Sequence, residues 1–451
     1  MIVTEMDWRE PRSAFAPFAQ EAGAVLLDAG DRAVGARWSF LCVRPNAVIN
    51  FRGGETLVDG VRTDASPFAA LAAMHESRRR THCAGPPLIS GLVGFAGYEC
   101  GALIEPQGSG PGSVGLAPDF MFAAYDRVVA FDRQEKRAFI SAPDHAGANA
   151  LEILLGDGVT AQTGSALHFA GSNFSAARYR KAVEEVILRI RNGAAYQANI
   201  AHRLHFKADD VINAFDLYCR AAARSGAANA AYLNAGGAQI VSLSPERFFS
   251  ITLDGETRVI RAEPIKGTRP RGATPEADAR LSRALLESAK DRAENIMIAD
   301  LVRNDLSRLC RDGSIREEAI CALMTLASVH HLVSRISGVL RDGVSPVDAL
   351  TALFPCGSIT GAPKIEAMRI IAEIEGTARG AYCGAIGYID DRGFADFSVA
   401  IRTATIEGRR VELPVGGGVT LRSDPDAEYQ ETLDKAAWFL EVAGVERASI
   451  A

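Results

Sequence analysis

Two pairs of carboxylates recur at helical spacing. Asp291 and Glu294 lie three residues apart in a stretch with helical periodicity, and Glu428 and Glu431 repeat the spacing near the end of the chain. This spacing places both carboxylates of a pair on one face of a helix. Taken alone, each pair is typical of a solvated helix face. If the two faces converge, their hard oxygen ligands suit Mg²⁺, which binds through one or two carboxylates together with substrate.

Lys266, in the run Pro264-Ile-Lys-Gly-Thr, is a candidate nucleophile. The residues before it predict a strand, and the Gly-Thr that follows predicts a sharp turn at the strand end. A single lysine is usually a solvated surface cation. In an apolar pocket near a divalent cation, its pKa would fall and the neutral amine would become a nucleophile. Composition alone leaves both interpretations open.

Three further features could bind an anion. The triplet Gly416 to Gly418, predicted as a turn before the last helix, could offer backbone N–H groups, although a turn explains it equally well. Arg402 lies in a strand-like run and needs a partner if buried, for which a substrate carboxylate and a structural salt bridge are comparable candidates. His331, beside His330 in an apolar stretch, is by itself typical of a core histidine.

Hydrophobic periodicity predicts the elements that position these residues. Residues 1 to about 165 alternate strand-like runs with turns, with one helix near Pro67 to Ser77 and a loop at Gly108 to Gly115. A weak boundary at 157 to 173, rich in Gly, Ser and Thr, precedes a helical pattern from Ala176. Strands and helices then alternate without the rhythm of repeated parallel units. We therefore predict an α+β fold, with residues 1–165 as an N-terminal lobe and 166–451 as the region that carries the candidate site.

Composition and charge disfavour several classes of protein. The 451 residues are 48% hydrophobic with a formal net charge of -6, which is typical of a globular protein and gives no support to nucleic-acid binding. The start carries acids and a proline where a secretory signal needs a basic end and an apolar run, and no apolar stretch approaches the roughly 20 residues of a membrane helix. The eight cysteines show no paired or zinc-type spacing. We expect a cytoplasmic protein with reduced thiols.

The second region resembles the catalytic region of the chorismate-utilising enzymes. The matching motifs, in the order of that family, are Leu243-Ser-Pro-Glu-Arg-Phe, Pro264-Ile-Lys-Gly-Thr-Arg-Pro-Arg-Gly, Lys290-Asp-Arg-Ala-Glu-Asn, Asp300-Leu-Val-Arg-Asn-Asp-Leu, His331-Leu-Val-Ser, Phe354 to Lys364, Arg379-Gly-Ala-Tyr-Cys-Gly-Ala-Ile-Gly-Tyr, Ile401-Arg-Thr-Ala and Glu428-Tyr-Gln-Glu. The N-terminal lobe matches more loosely, through Leu26-Leu-Asp-Ala, Arg37-Trp-Ser-Phe and Gly91-Leu-Val-Gly-Phe-Ala-Gly-Tyr-Glu. The resemblance implies a two-lobed sandwich of antiparallel β-sheets flanked by helices.

The resemblance also implies roles for individual residues. Glu294 and Glu431 correspond to direct Mg²⁺ ligands, and Asp291 and Glu428 to partners that act through water or through the ligands. The positions that hold the carboxylates of chorismate are Tyr382, Arg402 and the backbone of Gly416, Gly417 and Gly418. The positions that line its ring are Ser358 and His331.

Two positions separate the reactions of this family. Isochorismate-forming members carry a lysine base where this chain has Gln197, so the resemblance disfavours water addition. Anthranilate synthases carry alanine where this chain has Lys266, whereas chorismate-aminating members that keep the pyruvyl group carry lysine. The resemblance therefore implies conversion of chorismate and ammonia to 4-amino-4-deoxychorismate, a step toward p-aminobenzoate and folate. Anthranilate synthesis is the alternative, and a chorismate-binding regulatory subunit without activity is an alternative of another class.

The implied mechanism uses two residues directly. The Lys266 amine attacks ring carbon 2 while the 4-hydroxyl leaves with a proton from Glu246, and ammonia then enters at carbon 4 and expels the lysine. The cysteine and histidine arrangement of a class I amidotransferase is not recognisable in the sequence. A separate glutaminase subunit is therefore the expected source of ammonia.

Overall fold

The computed structural model describes residues 1–30, 36–81, 84–108, 115–158, 166–326 and 329–450. The strands are β1 (Ile2–Met6), β2 (Val25–Asp28), β3 (Trp38–Cys42), β4 (Ala47–Arg52), β5 (Glu55–Val58), β6 (Val61–Thr63), β7 (Gly91–Ala96), β8 (Phe120–Tyr125), β9 (Val128–Asp132), β10 (Arg137–Ala142), β11 (Leu167–Ser172), β12 (Gln197–Ala208), β13 (Asn229–Asn234), β14 (Gln239–Ser244), β15 (Arg247–Asp254), β16 (Thr257–Ala262), β17 (Ile265–Pro270), β18 (Arg316–Thr325), β19 (Val329–Val339), β20 (Gly361–Ala362), β21 (Ala385–Asp390), β22 (Ala395–Val399), β23 (Thr403–Glu407) and β24 (Arg410–Thr420).

The helices lie between these strands and flank them. They are α1 (Pro11–Phe15), α2 (Pro67–Arg78), α3 (Gly101–Ile104), α4 (His145–Leu154), α5 (Ala176–Arg191), α6 (Ala214–Ala222), α7 (Pro275–Glu287), α8 (Ala289–Ser307), α9 (Pro346–Leu353), α10 (Gly357–Thr360), α11 (Lys364–Glu375) and α12 (Pro425–Ala443). No helix in the described ranges is long and apolar enough to cross a membrane.

The strands form two antiparallel sheets. The first runs β1-β10-β9-β3-β2-β13-β14-β23-β24-β12-β11, with β20 paired to β12. The second runs β17-β19-β16-β15-β22-β21-β7-β8-β4-β5-β6, with β18 paired to β19. The predicted α+β class, with antiparallel sheets flanked by helices, is confirmed.

The core lies where the two sheets face each other. Strands β7, β8 and β9 are buried along their whole length, as expected for strands covered on both faces. One cluster of buried side chains contains Phe40 of the first sheet and Tyr388 of the second, whose rings meet edge to face at 5.3 Å. Each sheet contains strands from both sides of residue 165, and residues 159–165 lie outside the described ranges. The predicted division at that position therefore stays a prediction.

The two helices that carry the paired carboxylates begin at capping residues. Ser288 caps α8 by accepting a hydrogen bond from the backbone N–H of Asp291 at 3.2 Å. Asp424 caps α12 through the N–H of Ala427 at 2.9 Å, and Pro425 occupies the first turn. Helix α8 packs on β17 and β19 of the second sheet, whereas α12 packs on β24 of the first. The carboxylate pairs therefore approach the site from different sheets.

Three local predictions were wrong, and the predicted loop at 108 to 115 lies mostly outside the described residues. The Gly416 to Gly418 triplet is part of strand β24 rather than a turn. Lys266 and Gly267 lie within β17, at a register shift between Ile265 and Thr268, rather than at a turn that ends a strand. Arg402 lies between β22 and β23 with φ of +50° rather than in a strand.

Candidate active site

A bulge in β17 directs Lys266 toward the interior. The register between β17 and β19 shifts between Ile265 and Thr268, and such a bulge re-aims side chains. Gly267 has φ of +90°, and a Cβ there would lie 3.0 Å from Cβ of Asp291 on α8. Glycine satisfies both constraints, the left-handed backbone and the close helix. The Gly-Thr pair, which the sequence predicts as a turn, therefore lies at the bulge and positions Lys266.

The Lys266 amine lies among groups from several elements. Its Nζ donates a 2.7 Å hydrogen bond to the carbonyl oxygen of Ser358 in α10. A Cβ on Gly418 would lie 3.7 Å from Nζ, so β24 passes close by. Burial lowers the pKa of Lys266, while the charges of Glu246 and Glu294 act in the opposite direction. Burial thus makes the neutral, nucleophilic amine more accessible than in a solvated lysine.

Glu246 and Arg402 lie at two neighbouring points where the chain crosses between the sheets. Glu246 lies between β14 of the first sheet and β15 of the second, and Arg402 between β22 of the second and β23 of the first. The crossings are joined by backbone hydrogen bonds from Val399 to Glu246 at 3.1 Å and from Leu243 to Arg402 at 3.0 Å. The fold therefore brings the backbone segments that carry Glu246 and Arg402 next to each other.

Glu246 has the properties of a proton donor. Its side chain is buried, and its Oε1 has no hydrogen-bond partner among the described residues. Burial raises the pKa of Glu246, against the opposing effects of the Ser358 hydroxyl and the Lys266 charge. A carboxyl group held toward its protonated form close to a buried amine can act as a general acid.

Carboxylates of α8 and α12 lie close together. A Cβ on Gly417 would lie 3.1 Å from Oε2 of Glu428 and 3.8 Å from Oε1 of Glu431, so both side chains meet over β24. Burial raises the pKa of Glu294, and the negative charge of Glu428 raises it further. Asp291 is held in a 2.8 Å ion pair with Arg269.

These residues fit a divalent cation in donor type and in charge. Oε1 of Glu294 is buried without a hydrogen-bond partner in the described structure, as expected for an oxygen that a ligand would satisfy. Across the described ranges, however, no three His, Cys, Asp or Glu side chains form a ready metal cluster. Lysines neutralise the carboxylates instead, with Lys435 at 2.7 Å from Glu431 and Lys290 at 3.9 Å from Glu294.

Gln197 and Asn199 add uncompensated polar groups beside Lys266. The Gln197 side chain is fully buried, and neither its amide nitrogen nor its amide oxygen has a partner in the part of the chain that is described. Oδ1 of Asn199, two residues along β12 and paired with Gly418, is likewise without one. Buried polar atoms left unpaired are costly, and such atoms at a shared site indicate a place for a polar ligand.

His331 and Arg402 lie close enough together for the charge of Arg402 to act on the His331 ring. His331 accepts or donates a 2.8 Å hydrogen bond with the hydroxyl of Thr268. Burial lowers the pKa of His331 to about 4, with a further contribution from the charge of Arg402, so the ring is neutral at pH 7. Arg402 has no ion-pair partner within the described ranges, and burial lowers its pKa. A half-buried guanidinium without a carboxylate is suited to binding an anionic ligand.

The structure brings most of the predicted residues together. One cluster of neighbouring residues contains Lys266, Glu246, Ser358, Gln197 and Gly418. At its border lie the carboxylates of Glu294, Glu428 and Glu431. Tyr382 is buried next to Arg379 and Cys383.

The sequence interpretation missed Lys435 and Asn199. Lys435 lies four residues after Glu431 in α12, and its Nζ donates a 2.9 Å hydrogen bond to the Gly416 carbonyl. Asn199 follows Gln197 by two residues and so shares a strand face with it, a signal that alternation in β12 could have supplied.

Comparison with known proteins places this site in a family. The family model described as chorismate binding enzyme matches residues 24–441. The chain is 33% identical over 443 residues to aminodeoxychorismate synthase component 1 of Klebsiella aerogenes, covering 95% of this chain and 96% of that protein. It is 32% identical over 446 residues to anthranilate synthase component 1 of Methanothermobacter thermautotrophicus, covering 96% of this chain and 92% of that protein.

A solved structure gives the same result. The anthranilate synthase component I of Streptococcus pneumoniae superimposes with a TM-score of 0.79 at 28% identity, covering 90% of this chain and 93% of that one. Both the sequence matches and this superposition extend over 90% or more of the chain. The chain belongs to the family of chorismate binding enzymes.

Proposed function

We propose that this chain is the chorismate-aminating component of an aminodeoxychorismate synthase, which converts chorismate and ammonia to 4-amino-4-deoxychorismate. The observation that carries the proposal is the position of the Lys266 amine, close to Glu246 and to the converging carboxylates. Relatives named for aminodeoxychorismate synthase and for anthranilate synthase match the chain at similar identity. The distinction between these activities therefore depends on the site residues.

In the first step, the neutral amine of Lys266 attacks ring carbon 2 of chorismate. The ring double bond shifts, the bond from carbon 4 to its hydroxyl oxygen breaks, and Glu246 gives its proton to that oxygen, so that water leaves. The lowered pKa of Lys266 and the raised pKa of Glu246 support these protonation states. Hydroxide is a poor leaving group, so proton donation is required for this step.

In the second step, ammonia attacks carbon 4, the double bond shifts back, and the bond between carbon 2 and the Lys266 nitrogen breaks. The free amine of Lys266 is restored, and the pyruvyl group stays on the ring. A nearby base must remove one proton from the incoming nitrogen, and the Glu246 carboxylate left by the first step is suited to accept it. Glu246 would thereby return to its starting state.

The buried Gln197 supports amination over hydration. An amide side chain does not accept a proton at neutral pH and cannot activate water as a base. The neutral amine of a lysine at this position could do so. Its amide is held beside Gly418 in the fully buried part of the site. We propose that Gln197 hydrogen bonds the substrate near the reacting ring and leaves Lys266 as the amine that attacks it.

The other side chains would bind and orient the substrate. Arg402 and the backbone of Gly416 to Gly418 would hold its carboxylates, with Tyr382, Ser358 and His331 along the ring. Strand β23 pairs with β24 only at residues 410–412 of β24. On the side of β24 that faces β23, the run Gly416 to Gly418 therefore has no neighbouring strand in the described structure. Glu294 and Glu431 would hold Mg²⁺, assisted by Asp291 and Glu428. Bound Mg²⁺ would neutralise a carboxylate of the dianionic substrate, so that a nucleophile could approach the ring more easily.

Ammonia would come from a separate glutaminase subunit of the class I amidotransferase type. The "component 1" in the names of relatives implies a partner subunit for those proteins. We propose a corresponding partner for this chain, and high concentrations of ammonium salt would replace it.

Identification of the product tests the proposal. The purified chain is incubated with chorismate, ammonium and Mg²⁺, and the products are separated and identified by mass spectrometry. The proposal predicts 4-amino-4-deoxychorismate. Anthranilate with release of pyruvate would favour the alternative activity, isochorismate would favour water addition, and unchanged chorismate despite binding would favour a regulatory subunit.

A further inference from the structure

The ammonium group of Lys435 lies where carboxylates from the last helix converge. Its Nζ is 2.7 Å from Oε1 of Glu431 and donates a 2.9 Å hydrogen bond to the carbonyl oxygen of Gly416. A Cβ on Gly417 would lie 3.7 Å from this Nζ, 3.8 Å from Oε1 of Glu431 and 3.1 Å from Oε2 of Glu428. The ammonium and both carboxylates therefore share one small region above β24.

The contacts of this ammonium resemble those that a hard cation makes. A carboxylate oxygen and a backbone carbonyl oxygen are both ligands that divalent cations accept. The other lysine at the site, Lys290, is only in loose contact with Glu294 at 3.9 Å. Lys435 is thus the cation that directly occupies an oxygen of Glu431.

We propose that Lys435 is a built-in competitor for the divalent cation: its ammonium holds Glu431 in the metal-free protein and must leave before the metal binds there. The inference rests on the proposed metal role of Glu431. Two cations cannot both lie within contact distance of one carboxylate oxygen without strong repulsion, so the metal and the Lys435 ammonium compete for Oε1 of Glu431.

This competition couples the metal to the substrate. An ammonium displaced from Glu431 loses its counter-ion and is stabilised again only if an anion enters the site. The dianionic substrate of the proposed reaction supplies such charge. Metal and substrate should therefore each tighten the binding of the other, because such coupling is reciprocal.

Titration of the metal-free full-length chain tests the inference without any turnover. Binding of Mn²⁺, as a probe for the divalent cation, is measured by electron paramagnetic resonance at low salt and in the absence of substrate. Substitution Lys435→Met removes the competing charge and keeps a helix-forming residue of similar length. We expect this variant to bind Mn²⁺ about tenfold more tightly than the wild type, because a neighbouring unit charge is removed.

Matched variants separate this effect from a general change of charge. Lys207→Met removes an exposed positive charge at the other end of β12, ten residues or roughly 33 Å from Gln197, and should bind Mn²⁺ like the wild type. Lys435→Arg keeps the charge and should stay as weak as the wild type. If Lys435→Met is found by circular dichroism not to fold, Lys435→Gln takes its place.

The outcomes also separate the inference from the proposed metal role. Glu431→Gln should weaken Mn²⁺ binding. If Glu431→Gln weakens Mn²⁺ binding but Lys435→Met binds Mn²⁺ no more tightly than the wild type, the proposed competition by Lys435 is wrong. The proposed metal role of Glu431 would then still stand. If Glu431→Gln binds Mn²⁺ as the wild type does, the metal role of Glu431 is wrong and the competition falls with it.

Discussion

Substitution of Gly418 by alanine tests the close approach of β24 to the reacting groups. The added Cβ would lie 2.3 Å from Nε2 of Gln197 and 3.2 Å from its Cδ, against 3.4 to 4 Å for ordinary contact. Something must therefore move by about 1 Å. Gln197 is fully buried, and its strand is paired to β24 on both sides of the contact. The Gln197 amide would have to turn away from Gly418 and would thereby leave its place beside Lys266.

The expected cost follows from this overlap. Overpacking a buried site destabilises a protein by roughly 1–3 kcal/mol, so the free energy of unfolding should fall by about that amount. A displacement of about 1 Å in positioned groups can cost on the order of 100-fold in rate, so kcat/KM for chorismate with ammonium should fall by a similar factor. Unfolding in urea and steady-state product formation measure the two effects.

A glycine without neighbours provides the control. A Cβ on Gly158 would meet nothing within 4 Å, so Gly158→Ala should keep the wild-type kcat/KM and unfold at the same or a slightly higher urea concentration. The reasoning would be refuted if Gly418→Ala behaved like this control, with kcat/KM within twofold of the wild type and an unchanged urea midpoint.

Two further predictions concern the acid and the metal. Ser358→Ala removes a hydroxyl that lowers the pKa of Glu246, so the pKa of Glu246 should rise and its acid form should persist to higher pH. The ratio of variant to wild-type kcat should then increase with pH before it levels off, and a ratio that falls or stays flat across the pH profile would contradict the role of Glu246. Glu294→Gln removes the charge of a proposed metal ligand, and the Mg²⁺ concentration for half-maximal activity should rise roughly 10- to 100-fold. An unchanged Mg²⁺ dependence would show that Glu294 is not a ligand.

Local signals predicted the helices of the site well. The spacing of the carboxylates predicted that Asp291 and Glu294 share one helix face and that Glu428 and Glu431 share another. In the structure Ser288 and Asp424 cap these two helices. The convergence of those faces depends on two different sheets and could not be predicted from spacing. The resemblance to a known family supplied that link.

The errors have a common physical cause. Glycine runs and Gly-Thr pairs predict turns because glycine is unfavourable inside strands. Close neighbours explain these glycines instead. Helix α8 approaches the backbone at Gly267, strand β12 at Gly416, carboxylates of α12 at Gly417 and the Gln197 amide at Gly418. Arg402 interrupts a strand-like run without any Gly or Pro, since the chain there crosses from one sheet to the other. These constraints are tertiary and leave no local signal.

The participation of Lys266 in amination is the central claim, and one measurement tests it most directly. Product formation from chorismate, ammonium and Mg²⁺ is compared between the wild type and Lys266→Ala, with chorismate binding and thermal unfolding measured on both. We expect 4-amino-4-deoxychorismate from the wild type and a loss of at least about 1,000-fold in the variant, with folding and chorismate binding retained. Unchanged turnover in Lys266→Ala, or anthranilate as the main product of the wild type, would contradict the account.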